Sequence, residues 1–511
     1  MFYLTTSRPY TNSTPHLGTA MDAVYADCLN RFLKRLGQQT FFSMGTDEHS
    51  FKIVDKAKEL GVTPKQFVDA KFLEFESFYN QLDLSFDENL QSSNPKHYWV
   101  ANLIWERLLI KNLIYKKTYQ GLYCIGCEDF YSESQLIGGH CPIHPHLEIQ
   151  KVSEENYFFK LAAFKEQVLE YLDRVTINDP SVRVEMKNFA KDLQDISVSR
   201  DRSRLSVDWG IPVNSDPSHL MYVWFEALQT YLTPLIPDEL YENWLEGSPD
   251  IQKTIELEVW EIWAEELPQN LQIIGRDNAK FHLIIWSATL FALGLRPIES
   301  LLVHGMINDK FGRKFAKSAG NGITLEDTLS QFGKDGTRFI ILHELNSIGD
   351  TNLDIDRVIE SYNANLANNL GNLVVRVTNL VEKMLGGLIN FDPIDIKVPA
   401  AMKLEINTNE VYKELEDLAP EKAFRILITQ ATLINQYLEK HKPWELAKDA
   451  DKNEVKIKTV LTVAAINLKT IAETLSIFLP DSGGQIYEIL TASKIIKAPA
   501  IFPRIEVDAE S

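Results

Sequence analysis

Two pairs of side chains with metal-ligand chemistry stand close together in the chain, Cys124 with Cys127 and Cys141 with His144. Two residues lie inside each pair and thirteen between the pairs. This spacing suits one tetrahedral zinc held by three thiolates and an imidazole, and a set supplied wholly by the protein implies a structural metal. The alternatives are a disulfide or four unrelated side chains. A second cluster, Pro15-His16-Leu17-Gly18-Thr19, offers an imidazole and a glycine where a helix begins. Free amides and the positive end of the helix dipole favour phosphate there, although a histidine at a helix start can equally be a cap. A third, Gly312 to Asn321, carries Lys314 and Lys317 on a glycine-flanked loop that could neutralise charge on a polyphosphate or lie solvated at the surface.

The elements around these clusters form an α/β rhythm. Phe2–Thr6 reads as a strand, and Met21, Val24, Cys28, Leu29, Phe32 and Leu36 recur at helical spacing before Gly37. Thr40–Met44 is the next strand and runs into Gly45-Thr46-Asp47-Glu48-His49. Such βαβ order gives a parallel sheet with ligands at the carboxyl ends of its strands. The rhythm breaks near residue 115, and residues 119–146, dense in Gly, Cys, His and Pro, read as a small metal-held insert. A buried α/β pattern resumes at Leu220. Ile273–Asp277 and Leu301–Gly305 are further strand-to-loop signals, and from about 355 the chain reads as helical, with Gly386-Gly387 stopping one helix.

The chain has 511 residues, too many for one domain. Hydrophobic residues make up 45% and charged ones 24%, which excludes a disordered or fibrous protein. No window has the roughly 18 consecutive apolar residues of a membrane span, and the N-terminus has no signal-peptide pattern, so a cytoplasmic location is expected. The net charge of −19 argues against nonspecific coating of nucleic acid. Residues 236–267 alone hold ten acidic side chains and one lysine, a net −9.

Taken together, the His16-x-Gly18 element after the first strand and Lys314-x-x-Lys317-Ser318 after the last resemble the two signatures of class I aminoacyl-tRNA synthetases. The stretches Gly45–His49, Tyr222–Ala227, Ile274–Asp277 with Phe281-His282, Asn363–Leu373 and Lys442–Lys448 are similar, in order, to the methionyl branch of that family. The resemblance implies an α/β fold: a Rossmann-type parallel-sheet catalytic domain (1–115 and 213–320) split by a zinc-knuckle connective insert (116–212). A stem-contact segment (321–354) and an α-helical anticodon-binding domain (355–511) follow. It implies ATP-dependent ligation of methionine to tRNA through methionyl-adenylate, with Mg²⁺ accompanying ATP and one structural Zn²⁺. His16, Lys314 and Lys317 would be catalytic, and His16, Gly18, Thr19, Gly275, Asp277 and Lys317 would bind ATP. Arg8, Tyr10, Asp47, Trp224, Ala227, Tyr231 and His282 would form the methionine site, with Asp47 on the α-ammonium. Asn372, Arg376 and Trp444 would read the anticodon. Asn372 and Arg376 are four apart and so share a helix face, and an aromatic, an amide and a guanidinium suit an unstacked base.

The chain departs from the family pattern at Thr19, Glu226, Phe315-Ala316 and Arg8, where His, Asp, Met-Ser and an apolar residue are usual. Arg8 is expected to turn away from the amino-acid pocket, toward a carboxylate or the ATP phosphates, because an unpaired buried charge costs several kcal/mol. The alternatives are a paralogue that adenylates another amino acid or acceptor, and a catalytically weakened tRNA-binding protein. A monomer without membrane contact is expected.

Overall fold

The computed structural model describes residues 1–506 except 13, 125–128, 132, 134–135, 143–144, 205–206, 267–268, 314–323 and 390–397. Its strands are β1 (Phe2–Thr6), β2 (Thr40–Thr46), β3 (Glu88–Gln91), β4 (Ile114–Cys124), β5 (Asp129–Tyr131), β6 (Gln150–Phe159) and β7 (Thr176–Ile177). They continue with β8 (Ile196–Ser197), β9 (Ser199–Asp201), β10 (His219–Met221), β11 (Gln269–Gly275), β12 (Ser300–His304), β13 (Ile307–Asp309) and β14 (Thr351–Leu353).

Two compact units result, one of residues 1–14, 41–77 and 86–301, the other of 15–40, 78–85 and 302–511. The first contains the central sheet, of strand order β3-β2-β1-β11-β12-β7. β1 runs parallel to β11 with Phe2 opposite Gln269, and β2 runs parallel to β3 with Ser43 opposite Glu88. Four of the five residues of β1 are buried, as a strand covered on both faces requires. Gly45 is obligatory at the β2–β3 seam, because a Cβ there would stand 2.3 Å from the Leu90 carbonyl oxygen. β1 has a sequence-early neighbour on one side and a sequence-late one on the other. It therefore marks the point where the strand order reverses, the place where sheets of this kind bind ligands.

The insert expected at 116–212 contains a four-stranded sheet, β5-β4-β6-β8, in which β4 and β6 form a long antiparallel hairpin from Ile114↔Phe159 to Tyr123↔Gln150. β7, within the same stretch, instead joins the edge of the central sheet beside β12. The α/β pattern that resumes at Leu220 begins with β10, which pairs antiparallel with β9 outside the parallel sheet. The acidic stretch forms helices Asp238–Glu246 and Pro249–Glu266. They are anchored by buried Trp263 and by Trp244, whose ring is tilted against that of Trp99, while Asp238, Glu239, Glu242, Glu246, Asp250, Glu258 and Glu261 are exposed.

The second unit is mainly helical. Its first helix, Leu17–Arg35, packs its Cys28–Phe32 face among later helices, with Lys34 and Arg35 at its negative end. Asp27 on this helix accepts from the fully buried Arg338, 2.7 Å away. Helix Ile355–Tyr362 runs through π-helical turns at Asn363–Gly371 into helix Asn372–Leu385. That last helix ends, as the sequence predicts, at Gly386 with φ of 63°.

Candidate functional site

Three neighbouring strands end at one place. β1 leads into Ser7 and Arg8, β2 into Asp47, and β11 into Asn278, Phe281 and His282. Together with Trp224, Ala227 and Tyr231 from helix Val223–Gln229 and the turn after it, these residues line a pocket of about 320 Å³.

The wall is aromatic. Trp224 stacks flat on Phe281 with centroids 3.9 Å apart, and Tyr10 meets the Trp224 ring edge-on at 5.5 Å. The backbone of Tyr10 bridges that of Asp47: the Asp47 amide donates to the Pro9 carbonyl at 3.0 Å, and the Thr11 amide donates to the Asp47 carbonyl at 3.3 Å. His282 lies in a π-helical segment, Phe281–Trp286, a wide turn that often marks functional sites. Its Nδ1 is 2.9 Å from the Asn278 carbonyl oxygen, which can only accept. Nδ1 therefore carries the hydrogen, and Nε2 accepts from the Tyr231 hydroxyl at 2.8 Å. In this arrangement the hydroxyl of Tyr231 and both ring nitrogens of His282 are engaged.

Arg8 is held by oxygens that carry no charge. Its Nη1 and Nη2 donate to the carbonyl and hydroxyl of Ser43, at 3.2 and 3.0 Å, and its Nε donates to the Thr230 hydroxyl at 3.3 Å. The guanidinium also lies over the Tyr231 ring. The charge is thus directed into hydroxyl and carbonyl oxygens and an aromatic face, and the residue also lines the pocket. Nearby, burial pushes the Tyr3 hydroxyl up to about 12; it donates to the Tyr231 carbonyl at 2.9 Å.

Of the predicted nucleotide residues, Gly275 closes β11 and Asp277 is exposed on the turn that follows. In the second unit His16 caps helix Leu17–Arg35, its Nδ1 accepting from the Thr19 amide at 3.2 Å. Gly18 makes this possible, because a Cβ there would come within 3.0 Å of the imidazole. The capping alternative thus describes this histidine, and the exposed ring remains at the positive end of the helix. Lys314 and Lys317 lie outside the described residues.

The three anticodon candidates also lie in the second unit. The Arg376 guanidinium is 4.6 Å from the Trp444 ring centre and pairs with Glu439 at 2.6 Å. Asn372 is exposed one turn earlier. Trp444 follows Lys442, whose left-handed φ of 41° ends helix Pro420–His441 and starts the short helix Pro443–Leu446. Cys124 and Cys141 are fully buried, at the end of β4 and just after the bridged turn Ile137–His140. Cys127 and His144 lie outside the described residues, and no group of three or more metal-ligating side chains occurs among those described. Sequence reasoning missed Phe281, Asn278 and Glu439; Phe281 was detectable only as the neighbour of His282.

The profile of the family "tRNA synthetases class I (M)" matches residues 2–152 and 146–378. Methionine–tRNA ligase of Clostridium acetobutylicum is 33% identical over 540 residues, covering 99% of this chain and 78% of that protein. Methionine–tRNA ligase of Nostoc sp. is also 33% identical, over 96% of this chain and 89% of its own. The Mycobacterium tuberculosis methionyl-tRNA synthetase structure in complex with methionyl-adenylate superposes with a TM-score of 0.85 at 27% identity, covering 98% of this chain and 99% of that one.

Proposed function

Because this chain belongs to the class I tRNA synthetases of the methionine type, we propose that the pocket at the ends of β1, β2 and β11 activates methionine for ligation to tRNA. The methionine carboxylate attacks the α-phosphorus of ATP, giving methionyl-adenylate and pyrophosphate, and the methionyl group then passes to the terminal adenosine of tRNA. The observation that carries this reading is the convergence of Asp47 with Trp224, Tyr231 and His282 on one cavity. A carboxylate suits the α-ammonium, and an aromatic wall suits a polarizable thioether. With Tyr231 and His282 hydrogen-bonded to each other and to Asn278, that wall favours an apolar side chain over a polar one.

His16 and Gly18 are assigned to the ATP phosphates, with Thr19 beside them, and Gly275 and Asp277 to the ribose side. Lys317, with Lys314, stabilises the departing pyrophosphate, whose Mg²⁺ arrives with ATP. Asn372, Arg376 and Trp444 are assigned to the anticodon. Cys124, Cys127, Cys141 and His144 would hold a structural zinc, which would tie the hairpin end of the insert together; two fully buried thiols there support the assignment. The segment limits proposed are 1–115 and 213–320 for the catalytic domain, 116–212 for the insert, 321–354 for the stem contact and 355–511 for the anticodon domain. A monomer in the cytoplasm is proposed; no helix among the described residues is long and apolar enough to cross a membrane.

Pyrophosphate exchange with each of the twenty amino acids, with and without tRNA, tests the reading. Methionine alone should support exchange without tRNA, and activation of a different amino acid would overturn it.

A further inference from the structure

Glu226 is fully buried between two histidines and plays no part in the chemistry described above. Its Oε1 accepts from His49 Nδ1 at 2.8 Å and its Oε2 from His97 Nε2 at 3.1 Å. The other nitrogen of each ring meets a hydroxyl, Tyr98 at 2.9 Å from His49 Nε2 and Thr233 at 2.9 Å from His97 Nδ1. Each ring thus bridges the carboxylate to a hydroxyl, and no ring nitrogen of the pair is left without a contact. Burial acts to raise the Glu226 pKa, but His49 and His97 outweigh it and hold the carboxyl below its usual range. Among the described residues no lysine or arginine pairs with it.

The position of this carboxylate matters. Glu226 lies between Trp224 and Ala227 on one wall of the methionine pocket, and His49 is two residues beyond Asp47 on another. Glu48, between them in sequence, accepts from the Thr46 hydroxyl at 2.8 Å and from the Ser93 hydroxyl. We propose that Glu226 is a positioning residue for the substrate's α-ammonium: it clamps the Asp47 end of β2 to helix Val223–Gln229 through His49 and His97, and its buried negative charge strengthens the site's preference for a cationic amine. An aspartate, one methylene shorter, would not span both rings.

The inference rests on the methionine reading of this pocket, and methionine-dependent exchange by the wild-type enzyme tests that reading alone. For the clamp, binding of L-methioninol (ammonium, no carboxylate) and desamino-methionine (carboxylate, no ammonium) is measured by calorimetry on wild type, Glu226→Gln and Glu226→Asp. Glutamine keeps the shape and removes the charge, because His97 can reverse its tautomer and donate to Thr233. The expected result for Glu226→Gln is about tenfold weaker methioninol binding, the scale of one lost charge interaction in a shielded site. Desamino-methionine binding and the KM for ATP should stay within about twofold. Glu226→Asp should recover part of the methioninol affinity by restoring the charge. Unchanged methioninol binding, or equal weakening of both ligands, would overturn the proposal. Should Glu226→Gln fail to fold, Tyr98→Phe, which withdraws only the hydroxyl from His49, must show the same ordering at smaller amplitude.

Discussion

The Arg8 guanidinium lies 4.9 Å from the centre of the Tyr231 ring, so its charge rests on an aromatic ring that itself lines the pocket. A cation over an aromatic face at a partly exposed site contributes about 0.5–1 kcal/mol. Arg8→Leu should therefore raise the methionine KM in pyrophosphate exchange roughly two- to fivefold, with glutamate and glutamine still rejected. A wild-type enzyme that ignores methionine, and an Arg8→Leu variant that gains it, would show that the arginine excludes this substrate.

Lys317→Ala should lower adenylate formation roughly 10²–10³-fold, the usual loss for one preorganised donor to developing charge. Methionine affinity should change little, since the contact forms mainly in the transition state. Near-normal single-turnover rates would remove Lys317 from the mechanism.

Trp444→Ala removes the platform on which Arg376 now rests. Base–aromatic stacking contributes about 1–3 kcal/mol, so tRNA charging efficiency should fall roughly 5- to 150-fold while tRNA-independent exchange is preserved. Equal damage to both reactions would make Trp444 a packing residue.

Elemental analysis should find one zinc per chain in the wild type and much less in Cys141→Ala. Undiminished metal in the variant would contradict the ligand set.

Asp27→Asn leaves Arg338 buried without its anion, a loss of about 3–5 kcal/mol measurable by urea titration. Burial acts to raise the Asp27 pKa, but Arg338 and Arg31 outweigh it and hold it below 3.8. Because the folded value is depressed, this stabilisation is full above 3.8 and is lost as the pH falls through the folded value. The difference between wild type and Asp27→Asn should thus be constant near neutrality and shrink only in strong acid.

β1 and helix Leu17–Arg35 were legible because each carries its pattern locally, a short β-prone run and an apolar stripe at helical spacing. The residues of the amino-acid pocket became legible through motif order, and the sheet explains why: Arg8, Asp47 and His282 each follow a different strand, and only the strand order brings them together. β7 was not legible, since Thr176–Ile177 is too short to show any periodicity. Nor were Phe281 beneath Trp224 or Glu439 beside Arg376, because a stacking or charge partner is chosen by tertiary structure. The direction taken by Arg8 depended on Ser43 and Thr230, 35 and 222 residues away.

The assignment of helix Leu17–Arg35 to the later unit also has a consequence for synthesis on the ribosome. Asp27 and Arg338 are 311 residues apart, and translation at about 5–20 residues per second separates their appearance by roughly 15–60 s. For that interval the helix has emerged while the partners for its Cys28–Phe32 face have not been made. Nascent chains should therefore hold this segment open to chaperones, and the speed of elongation, more than the final stability, should set how much of the protein aggregates before it folds.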